Sequence, residues 1–357
     1  MTKSRFAIIG AGNGGQAFAA HLTLLGHHVS LWDVETQKVE DLRSTGEIVV
    51  TGAVEGKATI DLITGDISEA IKGSQLIMVV VPSVYHANVA NLMAPYLTEG
   101  QLVVLNPGAT GGALEVKHIF AQQGCPKVTV AETDTLLYAC RSPQAGEVII
   151  NGIKEHVEVA AIPAGDVMRV VGLLNQSFPQ YAAVENVLVT SLSNTNAMMH
   201  PTPTLLNAGR AENRAEFDYY TEGVTPSIAA LVEKVDAERL AIAGALGLHL
   251  STVSQWYTMC YGVDGDNLYD KVQKVKAYKG IKGPKNLNTR YLFEDIPTGL
   301  VPLSELGKAV GVKTPTIDAV VELGSSLLKR EFRKEGRTLQ RLGLAGMTAQ
   351  EICDAII

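Results

Sequence analysis

The chain has 357 residues, more than one typical domain holds, so two domains are expected. Apolar residues make up 46% of it and the formal net charge is −7, a balance that supports substantial cores and argues against a nucleic-acid partner. No apolar run approaches a transmembrane helix, and the first strand begins too early to leave room for a signal peptide, so no membrane partner and a cytoplasmic location are expected. Cys125, Cys140, Cys260 and Cys353 are scattered without a CxxC, and the eight histidines include no HxH or HExxH. Free thiols and no metal site follow from that spacing.

Residues 5 to 33 form one contiguous pattern. The apolar run Arg5-Phe6-Ala7-Ile8-Ile9 meets Gly10-Ala11-Gly12-Asn13-Gly14-Gly15. A helical stretch runs to Leu25-Gly26, and a second apolar run, Val29-Ser30-Leu31-Trp32, ends at Asp33. Strand, glycine turn, helix, strand and acid in that order read as a dinucleotide-binding βαβ unit. Gly10 permits the tight turn, Gly12 lets the backbone approach a pyrophosphate, and Gly15 lets the helix pack on the strand. The helix N-terminus then offers free N–H groups and its positive dipole end to the phosphates. Asp33 sits where a carboxylate accepts hydrogen bonds from the adenosine ribose and repels a 2′-phosphate. NAD is therefore the expected cofactor, with NADH preferred over NADPH, held by Gly10, Gly12, Asn13, Gly14, Gly15 and Asp33. His27 and His28 read as solvated turn residues.

The run Leu76–Val81 resembles a strand buried in a parallel sheet and ends at Pro82-Ser83, on the side where ligands bind in open α/β sheets. Pro82 and Ser83 are thus further cofactor candidates, while His86 reads as helix packing. Gln101–Leu105 is another such strand, followed by Asn106-Pro107-Gly108-Ala109-Thr110-Gly111-Gly112. Val128–Ala131 gives a further strand, and Val148–Ile150 with Val157–Ala160 reads as a hairpin. Helical periodicity takes over from Val187, most clearly over Ile228–Leu246, then Glu305–Val310 and Pro315–Leu328. The expected domains are a dinucleotide-binding domain over 1–186 and a helical domain over 187–357. The basic run Lys329–Lys334 reads as a solvated helix end, with an oligomer contact as the alternative.

In such a chain a side chain from the helical half must reach the nicotinamide. The segment Ser193–Pro203 places small polar residues before His200 and a proline stop. A histidine at a helix C-terminus is favoured as imidazolium, the proton donor that a carbonyl reduction needs; a purely structural histidine fits the same spacing. In Asn286–Pro297, Arg290 could pair with a substrate carboxylate and Asp295 could hold the second imidazole nitrogen of His200, or the two could form a surface ion pair.

The run Asn196–Asn207 (NAMMHPTPTLLN), Glu233–Arg239, Asn288–Tyr291 with Glu294–Pro297, the segment Asn106–Gly112 and the end segment Phe332–Leu339 together resemble the octopine/nopaline dehydrogenase (opine dehydrogenase) family over nearly the whole chain. The resemblance implies an N-terminal Rossmann domain followed by an all-helical opine dehydrogenase domain of the 6-phosphogluconate dehydrogenase C-terminal-like type. It implies a catalytic dyad of His200 with Asp295, a carboxylate-holding role for Arg290, a position near the substrate for Asn196, and a homodimer. The implied reaction joins the amino group of an L-amino acid, neutral and apolar rather than arginine, to pyruvate or another 2-oxo acid through an imine that NADH reduces. The product is a secondary amine with the D configuration at the new centre. Glu132-Thr133 and Cys140-Arg141 recur in the family pattern without a role that composition assigns. A ketopantoate or glycerol-3-phosphate reductase would use a catalytic lysine, for which Lys234 is available. A non-catalytic NAD sensor would need a broken dyad, whereas His200 and Asp295 are both present.

Overall fold

The computed structural model describes residues 3–213 and 216–357. They divide into two compact units, the first ending at Ser191 and taking in Ile356–Ile357, the second spanning Leu192–Ala355. The division falls inside the helix Val187–Leu192 rather than at residue 186. Among the described residues no helix is long and apolar enough to cross a membrane.

The first unit holds the strands β1 (Arg5–Ile9), β2 (His28–Trp32), β3 (Ile48–Gly52), β4 (Gly56–Ala58), β5 (Leu62–Thr64), β6 (Leu76–Val79), β7 (Leu102–Leu105), β8 (Thr129–Thr133), β9 (Tyr138–Arg141), β10 (Glu147–Ile153), β11 (Val157–Ile162) and β12 (Tyr181–Ala183). Eight of them form a sheet in the order β12-β11-β8-β7-β6-β1-β2-β5. The strands from β5 to β8 in that order run parallel, and β11 joins β8 antiparallel. β6 and β7 are buried on both faces, which is why they read as unbroken apolar runs. From β1 the chain proceeds outward to β2 and β5, then returns to β6 on the other side of β1. That reversal is the switch point where the ends of parallel strands leave a crevice for a ligand.

The remaining strands form a second sheet, β4-β3-β10-β9. The helix Asn13–Leu24 touches strands of both sheets, so it is buried nearly all round and is rich in glycine and alanine. The second sheet also corrects the expected hairpin. β10 pairs with β9 and β3, whereas β11 pairs with β8 and β12 in the large sheet. Their burial explains the separation: β10 alternates exposed and buried residues, while β11 is buried along most of its length and belongs in a sheet covered on both faces. His27 is a second correction. It is 4% exposed, its ring packs edge-on against Phe6, its Nδ1 accepts from Ser4 N, and its Nε2 lies 2.9 Å from the Ser177 hydroxyl. His28, beginning β2, is exposed as expected and sits 3.5 Å from Asp61.

The second unit is helical, its longest helix Pro226–Ala245 carrying the Glu233–Arg239 motif. Those polar residues clamp neighbouring segments. Arg239 donates to Asp236 and to the carbonyls of Leu192 and Ser251, and Asp236 accepts from Val253 N. Glu238 accepts from Thr316 N and Ile317 N and so caps the helix Pro315–Leu328. Pro201 is not a stop but the first residue of the helix Pro201–Leu206, where its missing N–H costs nothing. Nor is the basic run simply a solvated end. Arg333 pairs with Glu322 at 2.6 Å and Asp318 at 2.8 Å, and Arg330 lies over the rings of Phe293 and Phe332.

Candidate active site

The turn after β1 is dictated by backbone proximity. A Cβ on Gly15 would lie 1.7 Å from the Gly10 carbonyl oxygen, and one on Gly10 would lie 2.6 Å from a Val81 methyl. The same contact shows that the segment leading from β6 to Pro82 and Ser83 abuts the glycine turn at the C-terminal end of the sheet. A Cβ on Gly12 would meet nothing within 4 Å, so that face is open to a pyrophosphate. The helix behind it has no side-chain cap and no acid in its first turn, leaving its N–H groups and positive end to an anion. These features fit a dinucleotide.

Asp33 stands at the end of β2, 7% exposed. Its Oδ2 accepts from Ala11 N at 2.8 Å and its Oδ1 from Glu35 N at 3.0 Å, so the acid braces the glycine turn. Lys38 was not foreseen: its ammonium lies 3.2 Å from Asp33 and 3.0 Å from Glu35. Gln16 was also missed. Buried behind the turn, it donates to Ala11 O and Ser142 Oγ and accepts from Gly146 N, while Asn13 accepts from Ser142 N. Glu132 is a buried brace: its carboxylate accepts from Ala113 N and from the hydroxyls of Thr190 and Ser191. Ser191 in turn accepts from Gly111 N. The loop 108–113 is thereby tied to β8 and to the helix Val187–Leu192.

In the second unit His200 lies between the helices Asn196–Met199 and Pro201–Leu206. Its Nδ1 is 2.8 Å from Asp295 Oδ2, and the side chains are 14% and 11% exposed. One short segment supplies most of its surroundings. Arg290 opens the helix Arg290–Phe293, Tyr291 stacks flat on the imidazole at 4.1 Å, and Asp295 immediately precedes the π-helical turn Ile296–Leu300 without capping it through its side chain. Burial pushes the Asp295 carboxyl up, partly offset by His200 and its hydrogen bond, which makes it a stronger acceptor for the Nδ1 proton. Tyr219 donates to the His200 carbonyl at 2.8 Å and holds the backbone. Tyr220 faces the other ring nitrogen, its hydroxyl 3.5 Å from Nε2. Nothing in the spacing of these tyrosines marked them, although Phe217, Tyr219 and Tyr220 put three aromatic side chains within four residues.

Arg290 shares the segment with Asp295 but pairs with Glu294 at 2.7 Å, its side chain 73% exposed. Asn196 is exposed; its carbonyl accepts from His200 N at 3.0 Å. Lys234 is exposed on the helix Pro226–Ala245, a poor setting for a catalytic lysine, which needs desolvation to lose its proton.

A sheet with a dinucleotide turn at its switch point and a helical unit with a buried histidine–carboxylate pair together define a nicotinamide-dependent dehydrogenase. Residues 5–121 match the family described as the NAD-dependent glycerol-3-phosphate dehydrogenase N-terminus, and residues 183–328 match the NAD/NADP octopine/nopaline dehydrogenase alpha-helical domain. An opine dehydrogenase of Arthrobacter sp. (strain 1C) is 51% identical over 352 residues, 98% of each chain. The protein ocs of Agrobacterium tumefaciens (strain Ach5) is 28% identical over 99% of each chain. A solved octopine dehydrogenase in complex with NADH and agmatine superposes with a TM-score of 0.86 at 22% identity, over 98% of each chain. The chain belongs to the opine dehydrogenase family and is an NAD-dependent oxidoreductase acting on CH–NH donors.

Proposed function

We propose that the enzyme condenses the amino group of a neutral L-amino acid with pyruvate or another 2-oxo acid and reduces the imine, giving an N-(1-D-carboxyalkyl)-L-amino acid. The observation that carries this reading is the buried His200–Asp295 pair, with Nδ1 committed to the carboxylate at 2.8 Å and Nε2, on the opposite side of the ring, facing the Tyr220 hydroxyl at a long 3.5 Å. The carboxylate holds the imidazole orientation and stabilises its charge. His200 Nε2 serves as base when the ammonium gives up its proton and as acid when the carbinolamine loses water. Arg290, exposed beside Glu294, takes a substrate carboxylate and fixes the reacting carbon. Asn196, at the start of the helix leading to His200, contacts the substrate. A nicotinamide cofactor held by the glycine turn would supply the single hydride that reduces the imine.

Gly10, Gly12, Asn13, Gly14 and Gly15, with Pro82 and Ser83, hold the dinucleotide in this reading. Asp33 gives preference to NADH over NADPH, since a 2′-phosphate brought to its carboxylate meets like charge. The test is a panel of L-amino acids against pyruvate with either cofactor, with product structure and configuration determined. The reading predicts that NADH oxidation needs both substrates, is faster with neutral apolar amino acids than with arginine, and yields the D centre. Lactate formed from pyruvate with no amine present would overturn it.

A further inference from the structure

His200 must exchange its proton through Nε2, because Nδ1 is occupied by Asp295. Whatever substrate atom receives that proton therefore sits beside the Tyr220 hydroxyl, 3.5 Å from Nε2. That separation is long for a hydrogen bond between the two groups, yet it suits a shared third atom: an oxygen between them can lie about 2.8 Å from each. Tyr220 is held for such a role. Its ring stacks on Tyr278 at 3.7 Å and stands perpendicular to Tyr219 at 4.9 Å. The Tyr278 hydroxyl donates to Tyr257 at 3.1 Å. Burial pushes the Tyr220 hydroxyl up, so it stays protonated, a donor, through the neutral range.

We infer that Tyr220 is a further catalytic residue, donating a hydrogen bond to the oxygen that leaves as water when the carbinolamine collapses. In that step the nitrogen lone pair forms the C=N bond as the C–O bond breaks. The Nε2 proton of imidazolium passes to the departing oxygen, giving water, neutral His200 and an iminium. The positive charge moves from the imidazole to the substrate, and Tyr220 keeps its own proton while stabilising the developing hydroxide. The inference rests on the reading of His200 as the acid.

Tyr220→Phe keeps the stacked ring and removes only the hydroxyl. Its turnover with pyruvate and a neutral L-amino acid is to be measured with NADH and with NADH deuterated at the transferred position. Loss of a donor to the leaving oxygen should lower kcat by about tenfold or more, leave NADH affinity unchanged, and bring the deuterium effect on kcat to unity because water loss has become rate-limiting. A kcat within about twofold of wild type, or a lowered kcat with a deuterium effect clearly above unity, would overturn the inference. Tyr220→Met, which also lacks the hydroxyl, must give the same isotope pattern, and melting curves of both variants check the fold. His200→Ala separates the two readings. Wild-type turnover in that variant removes the acid itself, whereas an inactive His200→Ala beside an unimpaired Tyr220→Phe removes only the role of Tyr220.

Discussion

The glycine turn and the His200 pocket are built on opposite plans. In the turn, Ala11 and Asp33 are bonded across 22 residues of sequence, and backbone geometry decides which residue types are allowed. In the pocket, His200 and Asp295 are 95 residues apart, and the ring nitrogen reaches its neighbours through side chains of ordinary type. The first plan constrains main chain and so leaves glycines at fixed spacing. The second constrains only where side chains arrive, which any sufficiently rigid helical framework can arrange. One consequence is functional: a change in the turn should alter which dinucleotide binds and how tightly, and a change in the pocket should alter turnover.

Substitutions that separate binding from turnover sharpen this contrast. Asp295→Asn preserves the shape beside Nδ1 but removes the charge that stabilises imidazolium. Turnover should fall by about 100-fold with NADH affinity unchanged; steady-state kinetics and a binding titration settle it, and a fall of less than about threefold would mean the carboxylate is not needed. Asp33→Ser works at the other site. It removes the like charge and releases Lys38 from one of its two carboxylates. The ratio of kcat/KM for NADH over NADPH should drop about tenfold, equivalent to about 1.4 kcal/mol, mostly through KM. An unchanged ratio would show that Asp33 serves only as a brace for Ala11.

A smaller effect lies away from both sites and asks whether stability follows either plan. Asp134, just beyond β8, has its carboxyl raised to about 7 by burial and by the nearby Glu158, against an unfolded value of 3.8. The folded state therefore binds this proton more tightly than the unfolded chain. The stability it contributes is present below the unfolded value and is lost as pH rises from about 4 through about 7. Asp134→Asn, still able to accept from Glu158 N, escapes that loss. Its melting temperature should exceed wild type at pH 8, with the gap closing as pH falls toward 4; a gap independent of pH would contradict the account.

The same contrast governs what could be read from the residues alone. The βαβ unit from Arg5 to Asp33 was legible because its glycines, apolar runs and acid lie in register along one short stretch. β10 and β11 were misassigned to one hairpin because a few polar residues between two strands do not reveal that each has another partner. His27 was misjudged for a similar reason: a turn position says nothing of Phe6 and Ser177 closing over the ring. The His200–Asp295 pairing was one of two options that the segment itself left open, and family motifs implied the dyad; the two side chains lie 2.8 Å apart. Tyr219 and Tyr220 carried no such signal, since a tyrosine beside another aromatic is ordinary core composition. Lys38 was hidden by the same ordinariness, as one more lysine on a surface helix.

The division of labour between the two sites is tested most directly in His200→Ala, with NADH affinity and turnover of pyruvate plus a neutral L-amino acid measured on the same preparation. The account predicts an NADH dissociation constant close to wild type beside a kcat lower by about 100-fold or more. Turnover near the wild-type rate, or a loss of NADH binding as large as the loss of turnover, would contradict it.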